Sequence, residues 1–178
     1  MIYYTGDIHG STLEIVTFCM RFKPTKDDTI VILGDVGANY FGDFRDNKLK
    51  EAFSKLEPTI FCIHGNHEMR PWNIPTYKTK EWNGGTVWYE EKYPNILFAK
   101  DGEIYDIEGT KHLVIGGAYS VDKFYRLSRG YGWWEDEQPS EEIKWYVEQQ
   151  IKEKEFDVIL SHTCPLKYEP IETFLPGI

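Results

Sequence analysis

Apolar runs of four or five residues recur along this chain, and each is cut off by glycine or by a polar cluster. Residues 2–5, 29–33, 59–63 and 157–160 are rich in β-branched and aromatic side chains and read as strands. Between the first two, Ser11 and Glu14 have the spacing of a capping box, which opens a helix to about residue 22. Leu13, Val16 and Met20 share one face of that helix, and Pro24 stops it. A second helix is predicted over residues 46–56, with Leu49, Ala52, Phe53 and Leu56 on one stripe and Pro58 at its end. Strand, helix, strand, helix, strand is the order of βαβ units and a mostly parallel sheet, so the class is α/β.

The pattern then loosens. Residues 69–82 carry two prolines and read as an irregular excursion. Residues 86–89, 96–99, 103–107 and 112–115 alternate between turn signals, which suits antiparallel strands and a second sheet. Residues 116–139 are the least regular, mixing Lys123, Arg126 and Arg129 with six tyrosine, phenylalanine and tryptophan side chains such as Trp133 and Trp134. Long loops of this kind in compact domains are functional or disordered, and so many aromatics argue against disorder. Ser140, followed by Glu141 and Glu142, caps a last helix whose apolar face is Ile143, Tyr146, Val147 and Ile151. No repeat, low-complexity tract or linker divides residues 1–178, so one domain is expected.

Composition narrows the function. With 178 residues and 41% hydrophobic content the chain can bury a sizeable core. Its net charge of −9 argues against bulk binding to nucleic acid or anionic membrane, both of which need a basic face. The same charge repels phosphate-bearing substrates, so phosphate chemistry would require bound cations to invert the local field. Cys19, Cys62 and Cys164 are scattered without a C-x-x-C spacing, so buried thiols at Cys19 and Cys62 and a reducing compartment are expected. No signal segment or membrane-length apolar run stands out, which makes the cytoplasm the expected location.

The candidate chemistry sits where the strands stop. The run 59–63 leads into Gly65-Asn66-His67-Glu68: a turn-permitting glycine, an amide oxygen, an imidazole and a carboxylate that could orient it. The first run leads into Asp7 and His9, the second into Asp35, and the last into His162. Open α/β sheets bind their ligands beyond the carboxyl ends of the strands. Four strand ends each offering a metal-competent side chain therefore point to one shared site.

Asp7-Ile8-His9, Gly34-Asp35, Gly65-Asn66-His67-Glu68 and Ser161-His162, in that order, resemble the motif series of the calcineurin-like metallophosphoesterases. The resemblance implies a four-layer α/β/β/α sandwich of two mixed sheets flanked by helices, with a binuclear metal centre at the strand ends. It implies that Asp7 and His9 hold one cation, Asn66 and His162 the other, and that Asp35 bridges them. His67 would protonate the leaving group, oriented by a carboxylate such as Glu68, and Arg126 and Arg129 are candidates to contact the substrate phosphate. Arg70 has a weaker claim of the same kind. Mixed nitrogen and oxygen ligands suit manganese, with iron or zinc as alternatives.

The implied activity is hydrolysis of phosphate esters by metal-hydroxide attack, on a small-molecule or phosphoprotein monoester. The alternatives are a phosphodiester or dinucleoside polyphosphate substrate, or a weakly active or inactive scaffold of the same fold. The family's closing Gly-His-x-His is not found after His162, so a missing C-terminal segment with lower metal affinity is expected. Cys164 is a minor alternative ligand. Oligomeric state is not legible.

Overall fold

A computed structural model describes residues 1–165. The leading sheet is built from β1 (Ile2–Thr5), β2 (Thr29–Ile32), β3 (Thr59–Cys62), β4 (Lys78–Trp82), β5 (Gly85–Tyr89) and β6 (Ile96–Ala99), in spatial order β1-β2-β3-β6-β5-β4. Its first four members are parallel, with Ile2 opposite Thr29 and Thr29 opposite Thr59, and the β4–β5–β6 edge is antiparallel. Helices α1 (Leu13–Phe22) and α2 (Asn47–Phe53) make the crossovers that parallel strands require. A second mixed sheet contains β7 (Ile104–Ile107), β8 (Thr110–Ile115) and β9 (Val158–Ser161), with β7 antiparallel and β9 parallel to β8.

The apolar runs are continuous because both faces of the central strands are buried. Ile30, Ile32, Ile60, Cys62, Ile96 and Phe98 point one way, into a core shared with Ile15 of α1 and Leu49 and Phe53 of α2. The alternate residues Val31, Phe61, Leu97 and Ala99 point the other way and meet Tyr105, Ile107, Val114 and Leu160 of the second sheet. The two sheets thus pack face to face, with α1 and α2 covering the outer face of the first.

Several expectations are corrected here. The runs 86–89 and 96–99 do not join 103–107 and 112–115 in one sheet; they extend the first sheet, because β6 pairs with β3 at Ile60–Ile96. The stretch 69–82 is only partly irregular, since a 3-10 turn at Pro71–Asn73 is followed by β4. The alternation of polar Lys78, Lys80 and Glu81 with few apolar residues hid this edge strand. In α1, Leu13 and Met20 are 70% and 74% exposed, and the buried stripe is Ile15 with Phe18 and Cys19. Apolar residues lie on several sides of that helix, so its period is ambiguous until the sheet selects a face. Ser11 donates to the Glu14 carboxylate at 2.6 Å, side chain to side chain, while Thr12 occupies the cap position, so the expected capping box does not form. The segment 116–139 contains a further helix, α3 (Lys123–Arg129). The Ser140 cap holds, its hydroxyl accepting from the Ile143 N–H at the start of α4 (Glu141–Glu153). On α4, Val147 is buried as expected, whereas Ile151 faces solvent and Gln150 takes its place inside.

Candidate metal centre

Parallel register places the ends of β1, β2 and β3 at one rim, and the loops beyond them are knitted by backbone. The His9 and Gly10 N–H groups donate to the carbonyls of Asp35 and Val36 at 2.8 and 3.0 Å. His9 and Asp35 both adopt left-handed backbone, with φ of 44° and 45°, a conformation in which histidine and aspartate are enriched among non-glycine residues. Two glycines make the closeness possible. A Cβ on Gly65 would fall 2.0 Å from Oδ1 of Asp35, and one on Gly34 would fall 2.1 Å from Nδ1 of His162.

Asp35 is the hub. Its Oδ1 accepts the backbone N–H of His67 at 2.8 Å. That leaves Oδ2 facing two imidazoles, His162 Nε2 at 3.4 Å and His9 Nδ1 at 3.9 Å. The other nitrogen of His9 lies 2.9 Å from the Asp7 carboxylate. His162 Nδ1 lies 2.7 Å from the Leu33 carbonyl, and its Nε2 lies 3.0 Å from Asn66 Oδ1. Asp7, His9, Asp35, His162 and Asn66 thus form one continuous constellation. Burial opposes ionisation of Asp35, but hydrogen bonds from His162 and the His67 backbone outweigh it and hold the carboxyl down at about 2. His162 is also desolvated, yet its contacts with Asp35 and the Leu33 carbonyl push its basicity up.

His67 stands against this group. One ring nitrogen of His67, one of His9 and an Asp35 oxygen all lie within 4.8 Å of one another, and the His9 and His67 rings meet edge to face at 5.4 Å. Burial lowers the basicity of His67. Glu68 departs from its expected role. It is fully buried, pointing away from solvent, and accepts the Val36 N–H at 3.2 Å, bracing the Asp35 loop instead of orienting His67. Burial, with the nearby Asp35 charge, raises its carboxyl to about 8.

The arginines also differ from expectation. Arg126 is 3% exposed, and its guanidinium is spent on Ser120 Oγ, the Asn66 carbonyl and the Gly132 carbonyl, leaving no face for a substrate phosphate. Arg70 is buried too, paired with Asp101 at 2.5 Å and donating to the Asp136 carbonyl. Arg129 is exposed on α3, next to the Tyr125 ring. Sequence reasoning missed Ser120 and Glu137, which sit in the aromatic loop with no flanking motif to mark them. Cys164 is exposed and carries a free thiol.

A family profile described as Calcineurin-like phosphoesterase matches residues 1–175. The chain belongs to the calcineurin-like phosphoesterase family. Members of that family are metal-dependent, which agrees with the cluster of His9, Asp35 and His67 at the strand ends. Similarity also extends to the "Uncharacterized protein L509" of Acanthamoeba polyphaga mimivirus, 25% identical over 119 residues. That match covers 61% of this phosphoesterase chain and 40% of the viral protein, so the chain spans less than half of that relative's length. Among the described residues no helix is long and apolar enough to cross a membrane.

Proposed function

We propose that this chain is a binuclear metal-dependent phosphoesterase acting on phosphomonoesters, small-molecule or protein-borne. The observation that carries the reading is a convergence of metal-competent atoms. Asp35 Oδ2 and Asn66 Oδ1 lie 3.4 and 3.0 Å from His162 Nε2, while Asn66 Nδ2 and His162 Nδ1 are engaged elsewhere. A cation can hold two oxygens and an imidazole nitrogen that converge in this way, and mixed nitrogen and oxygen ligands without thiolate suit manganese, iron or zinc. Asn66, His162 and Asp35 would hold one ion, and Asp7, His9 and Asp35 the other. Bound there, the ions would supply Lewis acidity and a nucleophile at neutral pH.

The chain's own residues then orient and protonate. Asp35, bound through Oδ1 to the His67 N–H, keeps Oδ2 between the two imidazole groups. The His67 imidazole, unliganded in this reading, would give its proton to the departing oxygen of the ester. Of the three arginines considered, Arg129 is the exposed one, and it would be the one to meet a substrate phosphate, since Arg126 and Arg70 are committed inside. The packing of Tyr146 and Val147 of α4 against Gly102 supports α4 as the fourth layer of an α/β/β/α sandwich.

Metal content of the purified protein, followed by aryl phosphate hydrolysis with manganese and with chelator, tests the reading. Manganese-dependent cleavage of the mono- but not the bis-aryl ester is expected. Cleavage of the bis-aryl ester alone would shift the substrate class to diesters, and absence of both metal binding and cleavage would mark the chain as a non-catalytic scaffold.

A further inference from the structure

We infer that Ser120 and Glu137 are positioning residues that dictate which end of the Asn66 side chain faces the metal centre, an inference that rests on Asn66 being a ligand. The two ends of a carboxamide have nearly the same shape, so hydrogen bonding alone decides which one points where. One end would offer a cation a lone pair; the other would offer it two N–H groups and no lone pair.

Ser120 Oγ has one proton to give and two lone pairs to fill. Arg126 Nη1, which can only donate, lies 2.8 Å away and fills one lone pair. Glu137 accepts on both oxygens, taking the Ser120 backbone N–H on Oε1 at 3.0 Å and the hydroxyl proton on Oε2 at 2.6 Å. One lone pair of Ser120 remains, and the group facing it, 2.9 Å away, must be the donor Nδ2 of Asn66. Oδ1 is therefore turned to the opposite side, toward His162 Nε2. Asn66, Ser120, Arg126 and Glu137 are all buried, so water is poorly placed to reverse the pattern. Without Glu137 as acceptor, the Ser120 proton is free to bond Oδ1, and the amide can turn its N–H groups to the metal. Glu137 lies 71 residues beyond Asn66 in the chain, and only the fold of the aromatic loop brings the two together. The loop is anchored on the same side by Arg70, which donates to the Asp136 carbonyl at 2.8 Å.

Manganese titration followed by electron paramagnetic resonance tests this on the full chain, with Ser120→Ala, Ser120→Thr and Glu137→Gln beside the parent. Parent protein that binds no manganese overturns the ligand assignment and this inference together. With binding established for the parent, Ser120→Ala and Glu137→Gln should each weaken one of the two manganese sites about 10–100-fold, with Ser120→Thr close to parent. Parental affinity in both weakened variants would overturn the inference alone. An Asn66→Asp background separates orientation from general support, because a carboxylate presents oxygen from either end. There Ser120→Ala should cost much less affinity; an equal loss in both backgrounds would mean that Ser120 merely supports the fold. If Ser120→Ala does not fold, Glu137→Gln in the two backgrounds gives the same comparison.

Discussion

Asp35 and His67 are adjacent in space but are predicted to fail in different ways. Asp35 Oδ2 lies between the imidazoles of His9 and His162, so Asp35→Asn takes charge from both halves of the site. It should remove most bound metal, as read by elemental analysis of the purified variant. His67 contributes its backbone N–H to Asp35, which any residue retains, and its imidazole to proton transfer. His67→Asn should keep its metal and lose rate, more with poor leaving groups than with good ones. A His67 variant stripped of metal would instead make it a ligand, a possibility its place within 4.8 Å of His9 and Asp35 puts to the test. Glu68 shows how a motif can mislead at this scale. The run Asn-His-Glu predicts a carboxylate that orients His67, yet the glutamate lies inward under the loop it braces.

At the scale of elements, β1 and β2 are paired from their first residues, and Met1 and Asp28 close the end of the pair opposite Asp7 and Asp35. The N-terminal ammonium donates to Asp28 at 2.6 Å and also meets Glu108. That bond, then the Thr25 backbone N–H, lowers the Asp28 carboxyl from 3.8 to about 2. Because the folded value is the lower one, the contribution to stability is complete above about pH 4 and is lost as pH falls through about 2. Asp28→Asn should therefore unfold at lower urea than the parent at pH 6, with the gap narrowing toward pH 2.5. A gap that stayed constant with pH would mean that packing, not ionisation, is what the substitution removes.

For the whole molecule, the contact between sheets holds the strand ends in place. Phe61 on β3 is fully buried, 4.8 Å from the Trp82 ring of β4 and 4.9 Å from the Tyr105 ring of β7, so it joins the leading sheet to the second sheet. Phe61→Ala should cost about 3–5 kcal/mol in urea unfolding, the range for deleting a buried aromatic ring. Since His162 follows β9 of the second sheet while Asn66 follows β3 of the first, the same change should also weaken metal binding. Metal affinity left intact in a destabilised Phe61→Ala would show that the rim is held by its own hydrogen bonds.

The chain's linear pattern was enough to determine the parallel strands and the polar residues at their ends. A strand buried on both faces must be apolar throughout, and the residue where that run stops must lie at the rim. Asp35 and Asn66, which follow the buried β2 and β3, were legible for that reason, whereas Asp7, His9 and His162 follow the half-exposed β1 and β9 and were legible from the polar residues that end those runs. Tertiary structure alone decided the rest. It turned Leu13 and Met20 outward, drew β5 and β6 into the first sheet, buried Arg126 and Arg70, and set Ser120 and Glu137 behind Asn66. Those outcomes depend on which surfaces meet and on which donor finds which acceptor across long stretches of chain, and local periodicity carries no record of either.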